Sequence, residues 1–106
     1  LLKFGRHFRI GPKTKAIVGR NKNENDSISA LAKDEDLLLY TASVPGPTVL
    51  VIGDIKHLAD ELVASLTASY SDAKDGEVEI HLEGKGQYKK VTAKVRDKKE
   101  FRGYMV

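Results

Sequence analysis

Three histidines, a run of acids and a dense set of lysines and arginines are the groups in this 106-residue chain that could do chemistry. His7, His57 and His81 are the natural candidates for proton transfer or metal ligation, and none has a convincing partner at a useful spacing. His81 stands between Glu79 and Glu83 on what reads as the outward side of a strand, where a weak ligand pair and a solvated ladder are both open readings. His57 falls in the first turn of the longest helical pattern, off its apolar stripe. Asp34, Glu35 and Asp36 are consecutive, so their carboxylates diverge, and the spacing of a calcium loop is missing. Gly84-Lys85-Gly86 lacks the strand and helix context of a phosphate loop and reads as a hairpin turn. With no cysteine in the chain, disulfides, thiolate zinc sites and cysteine nucleophiles are excluded. The expectation is a non-catalytic fragment with no catalytic residues, no metal and no cofactor.

Charge is the remaining chemical resource, and it is segregated. Residues 1–23 hold seven Lys or Arg and no acid, and residues 85–106 hold eight bases against Asp97 and Glu100. Residues 24–84 carry thirteen acids against Lys33, Lys56 and Lys74. If the two ends meet in space, the fold has a basic pole, and a phosphate backbone is its obvious partner because each neutralised phosphate releases condensed counterions. Basic and acidic strands that pair with each other, or face water, are the competing reading.

These groups must be positioned by one domain spanning 1–106, since half of this length would bury too little apolar surface to fold alone. Phe4, Phe8 and Ile10 alternate with His7 and Arg9, Gly11-Pro12 turns the chain, and Lys15 to Val18 returns as a strand, giving a hairpin with a basic outer face. A short helix follows the polar run Asn21 to Asp26, with Ile28, Leu31 and Ala32 at helical spacing. Leu37 to Thr41 and Thr48 to Ile52 read as paired buried strands joined through a type II turn at Pro45-Gly46. Asp54 is placed to cap a long helix whose stripe runs Ile55, Leu58, Ala59, Leu62, Val63, Leu66 and Tyr70. Asp75-Gly76 ends this region, and alternation predicts strands over Glu77 to Glu83 and Tyr88 to Val95, with a last one over Phe101 to Val106. The fold class is α+β: a mainly antiparallel sheet built from hairpins, with one short and one long helix packed on one side of it. The longest apolar run, Val49 to Ile52, is far too short to cross a bilayer, and no export signal stands out, so no membrane and a cytoplasmic location are expected. A start at Leu1-Leu2, with no initiator Met, suggests that something preceded the chain in a longer protein.

Several stretches occur together in one order: Val18-Gly-Arg-Asn-Lys-Asn-Glu-Asn-Asp26, Asp36-Leu-Leu-Leu-Tyr40, Val44-Pro-Gly-Pro-Thr-Val-Leu-Val51 and Tyr70-Ser-Asp-Ala-Lys74. This array resembles the NFACT-R RNA-binding family, which reads approximately V-G-[KR]-N-x-x-x-N-[DE], D-x-W-x-H, P-G-S-H-V and Y-S-x-A-[KR]. Leu38 and Tyr40 stand where the commoner branch has Trp and His, and Pro47 and Thr48 where it has Ser and His. Those departures resemble the branch found at the C-terminus of PP-loop ATPases similar to tRNA 2-thiouridylases. The resemblance implies a module that holds tRNA while an upstream PP-loop ATPase domain of the same polypeptide adenylates and thiolates a base. No SGGxDS signature occurs here, so adenylation has no place in this fragment.

The residues expected to contact RNA are Arg6, His7, Arg9, Lys13, Lys15, Arg20, Asn21, Asn25, Tyr40, Gly46, Thr48 and Lys74. Arg20 and Asn21 precede a helix N-terminus, where free N–H groups and a positive dipole end favour an anion. Arg6, Arg9, Lys13 and Lys15 could track the same backbone from the neighbouring hairpin, with Tyr40 or Tyr88 as stacking platforms. Helix capping competes with ligand contact at Asn21 and Asn25, a turn requirement competes at Gly46, and Lys74 reads equally as a solvated charge past a helix end. A different class of function, docking onto a ribosomal protein or the parent's catalytic domain through the acidic middle or the Pro45 loop, stands as the alternative.

Overall fold

Alternation builds the best-defined hairpin of the sheet. In the computed structural model, which describes residues 5–33, 35–41, 44–53, 60–73, 76–84 and 86–104, the strand Glu77–Gly84 (β5) buries Val78, Ile80 and Leu82 and pairs along its whole length with Gln87–Lys94 (β6). The basic hairpin also forms, from Arg6–Gly11 (β1) and Thr14–Val18 (β2), with a register shift between Arg9 and Gly11. Leu37–Thr41 (β3) and Val49–Gly53 (β4) pair with each other, and the six strands lie in the order β1-β2-β4-β3-β5-β6 with every neighbour antiparallel.

The two helices, Lys22–Leu31 (α1) and Asp60–Ser69 (α2), pack on opposite faces of this sheet, which corrects the expectation that they share a side. β2 and β4 are the cause. Ala16, Val18, Val49 and Val51 join Val63 and Leu66 of α2 in the main core, whereas Ile17 and Leu50, pointing the other way, meet Ile28 of α1 in a smaller second core. A strand apolar at every position has two faces to cover, and one helix cannot cover both.

The second helix is buried on all sides over Val63–Ser69, so the single apolar stripe expected of it is not what the structure has. Its polar residues make that burial tolerable. The hydroxyls of Thr67 and Ser69 donate to the carbonyls of Val63 and Ser65, at 2.8 and 2.7 Å, and Ser69 Oγ also accepts the Arg96 N–H, so neither hydroxyl is buried unsatisfied. The expected Asp54 cap, with Ile55, Leu58 and Ala59, lies outside the described residues.

The C-terminal segment is a 3-10 helix over Lys98–Tyr104, where a strand was expected. Only Phe101 of Lys98–Gly103 is buried, and a single apolar anchor cannot sustain the period-two pattern that a strand needs. This helix crosses back to touch β1, which brings the two ends of the described chain together. Gly46 differs from expectation as well. It is absent from the glycines at positive φ, so the type II turn is not formed. The residue is required by crowding instead, because a Cβ there would lie 2.7 Å from Thr41 Oγ1 and Cγ2 and 3.0 Å from Ser71 Cβ.

Candidate functional site

The sharp exit of β2 through Gly19 sets up the site. Thr48 is clamped through its backbone, accepting from the Gly19 N–H at 3.0 Å and donating its own N–H to Asn25 Oδ1 at 3.0 Å. A side chain on Gly19 would collide with that same Asn25 oxygen, so Gly19, Asn25 and Thr48 fit only as a set. Asn21 caps α1, its Oδ1 accepting the Glu24 N–H at 2.9 Å. For Asn21 and Asn25 the geometry therefore gives structural roles, and Thr48 contributes its backbone.

Around this corner lies an open cleft of 510 Å³. Its basic residues are Arg6, Arg20, Lys22 and Lys98, its acids Asp26 and Asp72, and the segment Pro45–Pro47 forms part of its wall. Tyr70 is the centrepiece. The Arg6 guanidinium carbon lies 5.2 Å from its ring centroid and the Lys98 ammonium 5.1 Å, within the range of cation–π attraction, and the ring packs edge-on against Phe8. Arg6 belongs to the first strand and Lys98 to the last helix, so bases from opposite ends of the chain do meet here. Among the described residues neither forms an ion pair.

Arg20 behaves differently from the expectation centred on it. Its Nη2 lies 2.8 Å from Glu24 Oε2 and its Nε donates to Oε1 at 3.0 Å, while the Glu24 carboxylate also accepts the N–H groups of Arg20 and Gly5. Bonds from the Arg20 side chain, joined by those backbone donors, hold the Glu24 carboxyl down at about 2 against the cost of its desolvation. Arg20 thus holds in place the Glu24 carboxylate, which ties the residue before β1 to α1, and much of the Arg20 charge is already compensated. Because the folded group titrates below its usual 4.5, its stabilising contribution is complete above about pH 4.5 and disappears as pH falls toward 2. A Glu24→Gln variant is expected to unfold at lower denaturant than the parent at pH 7, with the gap closing over that acid range in urea titrations followed by circular dichroism.

The other expected contacts are dispersed. His7, Arg9 and Lys15 point to the α1 side of the sheet, because alternation puts Arg6 with Phe8 and sends His7 and Arg9 the other way. Lys13 sits in the turn at the far end of that hairpin, roughly 17 Å from Arg6 at strand rise, and Arg9 donates to the Pro12 carbonyl beside it. Tyr40 lies on the α1 face of β3, apart from the cleft. Lys74 and His57 lie outside the described residues. Conversely, Lys22, Lys98 and Tyr70 line the cleft without being among the contacts expected from sequence, where Tyr70 stands in the helix stripe and opens the last motif. No local signal marks Lys98, since its position depends on the path of the 3-10 helix.

His81 is not a solvated rung. Its ring stacks on Tyr40 (centroids 5.1 Å apart, planes 13° apart) and leans on Tyr88, whose hydroxyl is hydrogen-bonded to His81 Nδ1. Glu79 is 4.0 Å from its Nε2, and among the described residues no set of three or more His, Asp or Glu could hold a metal ion. Nor is any helix of the described residues long and apolar enough to cross a membrane.

Comparison with known proteins yields a family and a fold. The family model of the NFACT protein RNA binding domain matches residues 5–105. Among solved structures, the C-terminal part of the fibronectin/fibrinogen-binding protein from Streptococcus suis is similar over the whole of this chain, with a TM-score of 0.73 and 20% identity. The chain spans 50% of that one's length, and at this identity the likeness speaks for the fold. None of the curated proteins matches.

Proposed function

Since the chain belongs to the NFACT protein RNA binding domain family, we propose that it works as a non-catalytic module that grips the phosphate backbone of a structured RNA in the cleft around Tyr70. The observation that carries this reading is the pair of cations, Arg6 and Lys98, held over one aromatic ring without an ion-pair partner among the described residues. Lys22 and the exposed face of Arg20 extend the positive edge toward the N-terminus of α1. A phosphate placed there gains two charge-assisted contacts at little reorganisation, because the ring already holds both cations in place.

The finer reading is that the RNA is tRNA and that the module serves a tRNA-thiolating enzyme with a PP-loop domain in the same polypeptide. It rests on the motif departures at Leu38, Tyr40, Pro47 and Thr48. Titrating a tRNA transcript at rising salt tests the proposal. With three to four phosphates engaged, the logarithm of the association constant should fall against the logarithm of salt with a slope of about −3, at roughly −0.9 per phosphate. Absence of binding at low salt would refute it, and capture of a protein partner that survives RNase treatment would favour docking instead.

A further inference from the structure

We propose that the Tyr40–His81–Tyr88 array on the α1 side of the sheet is a stacking site for an unpaired nucleobase of the RNA. This rests on the RNA-binding reading above and adds to it the class of RNA, one presenting a loop or single-stranded segment beside its duplex. Cross-strand register creates the array: Tyr40 faces His81 across β3 and β5, and Glu83 faces Tyr88 across β5 and β6, one step along. The three rings form a continuous layer, and Tyr88 at its end is 50% exposed, one of two large apolar side chains so open among the described residues.

Beside Tyr88 the layer borders a cleft of 360 Å³, within the usual range of roughly 300–1,000 Å³ for ligand clefts. Its surroundings match a base and oppose a phosphate. Leu38 and Ala32 give it an apolar floor, Tyr88 an aromatic wall, and Gln87 and Glu83 a polar rim that can accept from the amino or imino edge of a base. The Glu83 carboxylate already accepts the Tyr40 hydroxyl at 3.0 Å, which fixes that ring, and together with Asp36 it outweighs Lys33, the base in the lining, so the cleft is acidic on balance. Backbone and base are therefore sorted by charge. Both clefts use α1 as a wall: Lys22 at its start lines the one proposed for phosphates and Ala32 just past its end lines this one, roughly 15 Å apart along the ten-residue helix.

Two RNAs separate this inference from the one it rests on: a blunt duplex, and the same duplex closed by a loop carrying 2-aminopurine. The parent should bind the looped RNA more tightly than the blunt one and quench the 2-aminopurine. Tyr88→Ala should lose about tenfold or more in affinity for the looped RNA together with the quench, and keep blunt-duplex affinity and its salt slope. Tyr88→Phe, which retains the ring, should restore both, and a melting curve for each variant confirms folding. Unchanged quenching and affinity in Tyr88→Ala would overturn the stacking site while leaving duplex binding in place, and equal losses in the Ala and Phe variants would overturn it in favour of the hydroxyl. Failure of the parent to bind either RNA would bring down both proposals.

Discussion

Removing the two cations over Tyr70, as Arg6→Ala with Lys98→Ala, is expected to weaken RNA binding roughly fifty- to hundredfold at about 0.1 M salt. The magnitude follows from counterion release: each phosphate neutralised contributes about −0.9 to the salt slope, and near 0.1 M that corresponds to almost one decade of affinity per phosphate. With two phosphates no longer neutralised, the slope should flatten by about 1.8. The same pair of changes at Arg9 and Lys13, on the far part of the hairpin, should leave the slope close to that of the parent. Fluorescence anisotropy with a labelled tRNA transcript at four or five salt concentrations measures both quantities. Equal slopes for the parent and the Arg6/Lys98 variant would show that the backbone is held elsewhere.

The largest effect on stability is expected at Ile28. It is the one buried residue of α1, and it closes the second core with Ile17 and Leu50. Truncation to Ala should cost about 3 kcal/mol, within the range of roughly 2–5 for such changes, because the rigid sheet beneath cannot collapse into the space left behind. For a domain of this size the melting midpoint should fall by roughly 10–20 °C. Hydrogen exchange adds a sharper readout. Amides of α1 should lose protection more than those of β5, and RNA affinity should fall too, since Lys22 and Asn25 line the cleft from this helix. Uniform loss of protection across the sheet would mean that α1 is not a separately detachable layer.

Much of the fold was legible where a pattern acts locally. The alternation of Val78, Ile80 and Leu82, the Asn21 cap and the polar turn after β1 each dictate their own structure through the nearest few residues. What escaped depends on partners distant in sequence. The apolar runs Ala16–Val18 and Val49–Val51 did carry a warning, since neither leaves a polar face for solvent, and reading them as doubly covered would have put α1 and α2 on opposite sides. The site was legible only in part. Gly19, Arg20, Asn21 and Gly46, all motif positions, line the cleft, yet the cations without an ion-pair partner among the described residues come from β1 and the 3-10 helix, joined through Tyr70. Likewise His81 looked like a solvated residue between two glutamates until register set it between two tyrosines.

The position of β6 at the end of the strand order has a consequence for how copies of this domain behave together. A terminal strand offers peptide groups on its outer side to any neighbour, and among the described residues the eight-residue β6 pairs with no strand on that side. Here that margin carries Lys89, Lys90 and Lys94, and although Lys90 lies 3.6 Å from Glu79 of β5, two identical copies approaching rim to rim still meet mainly like charge. Solubility of the domain is thereby tied to ionic strength: the guard is strongest in dilute buffer and weakens as salt shortens the reach of each lysine.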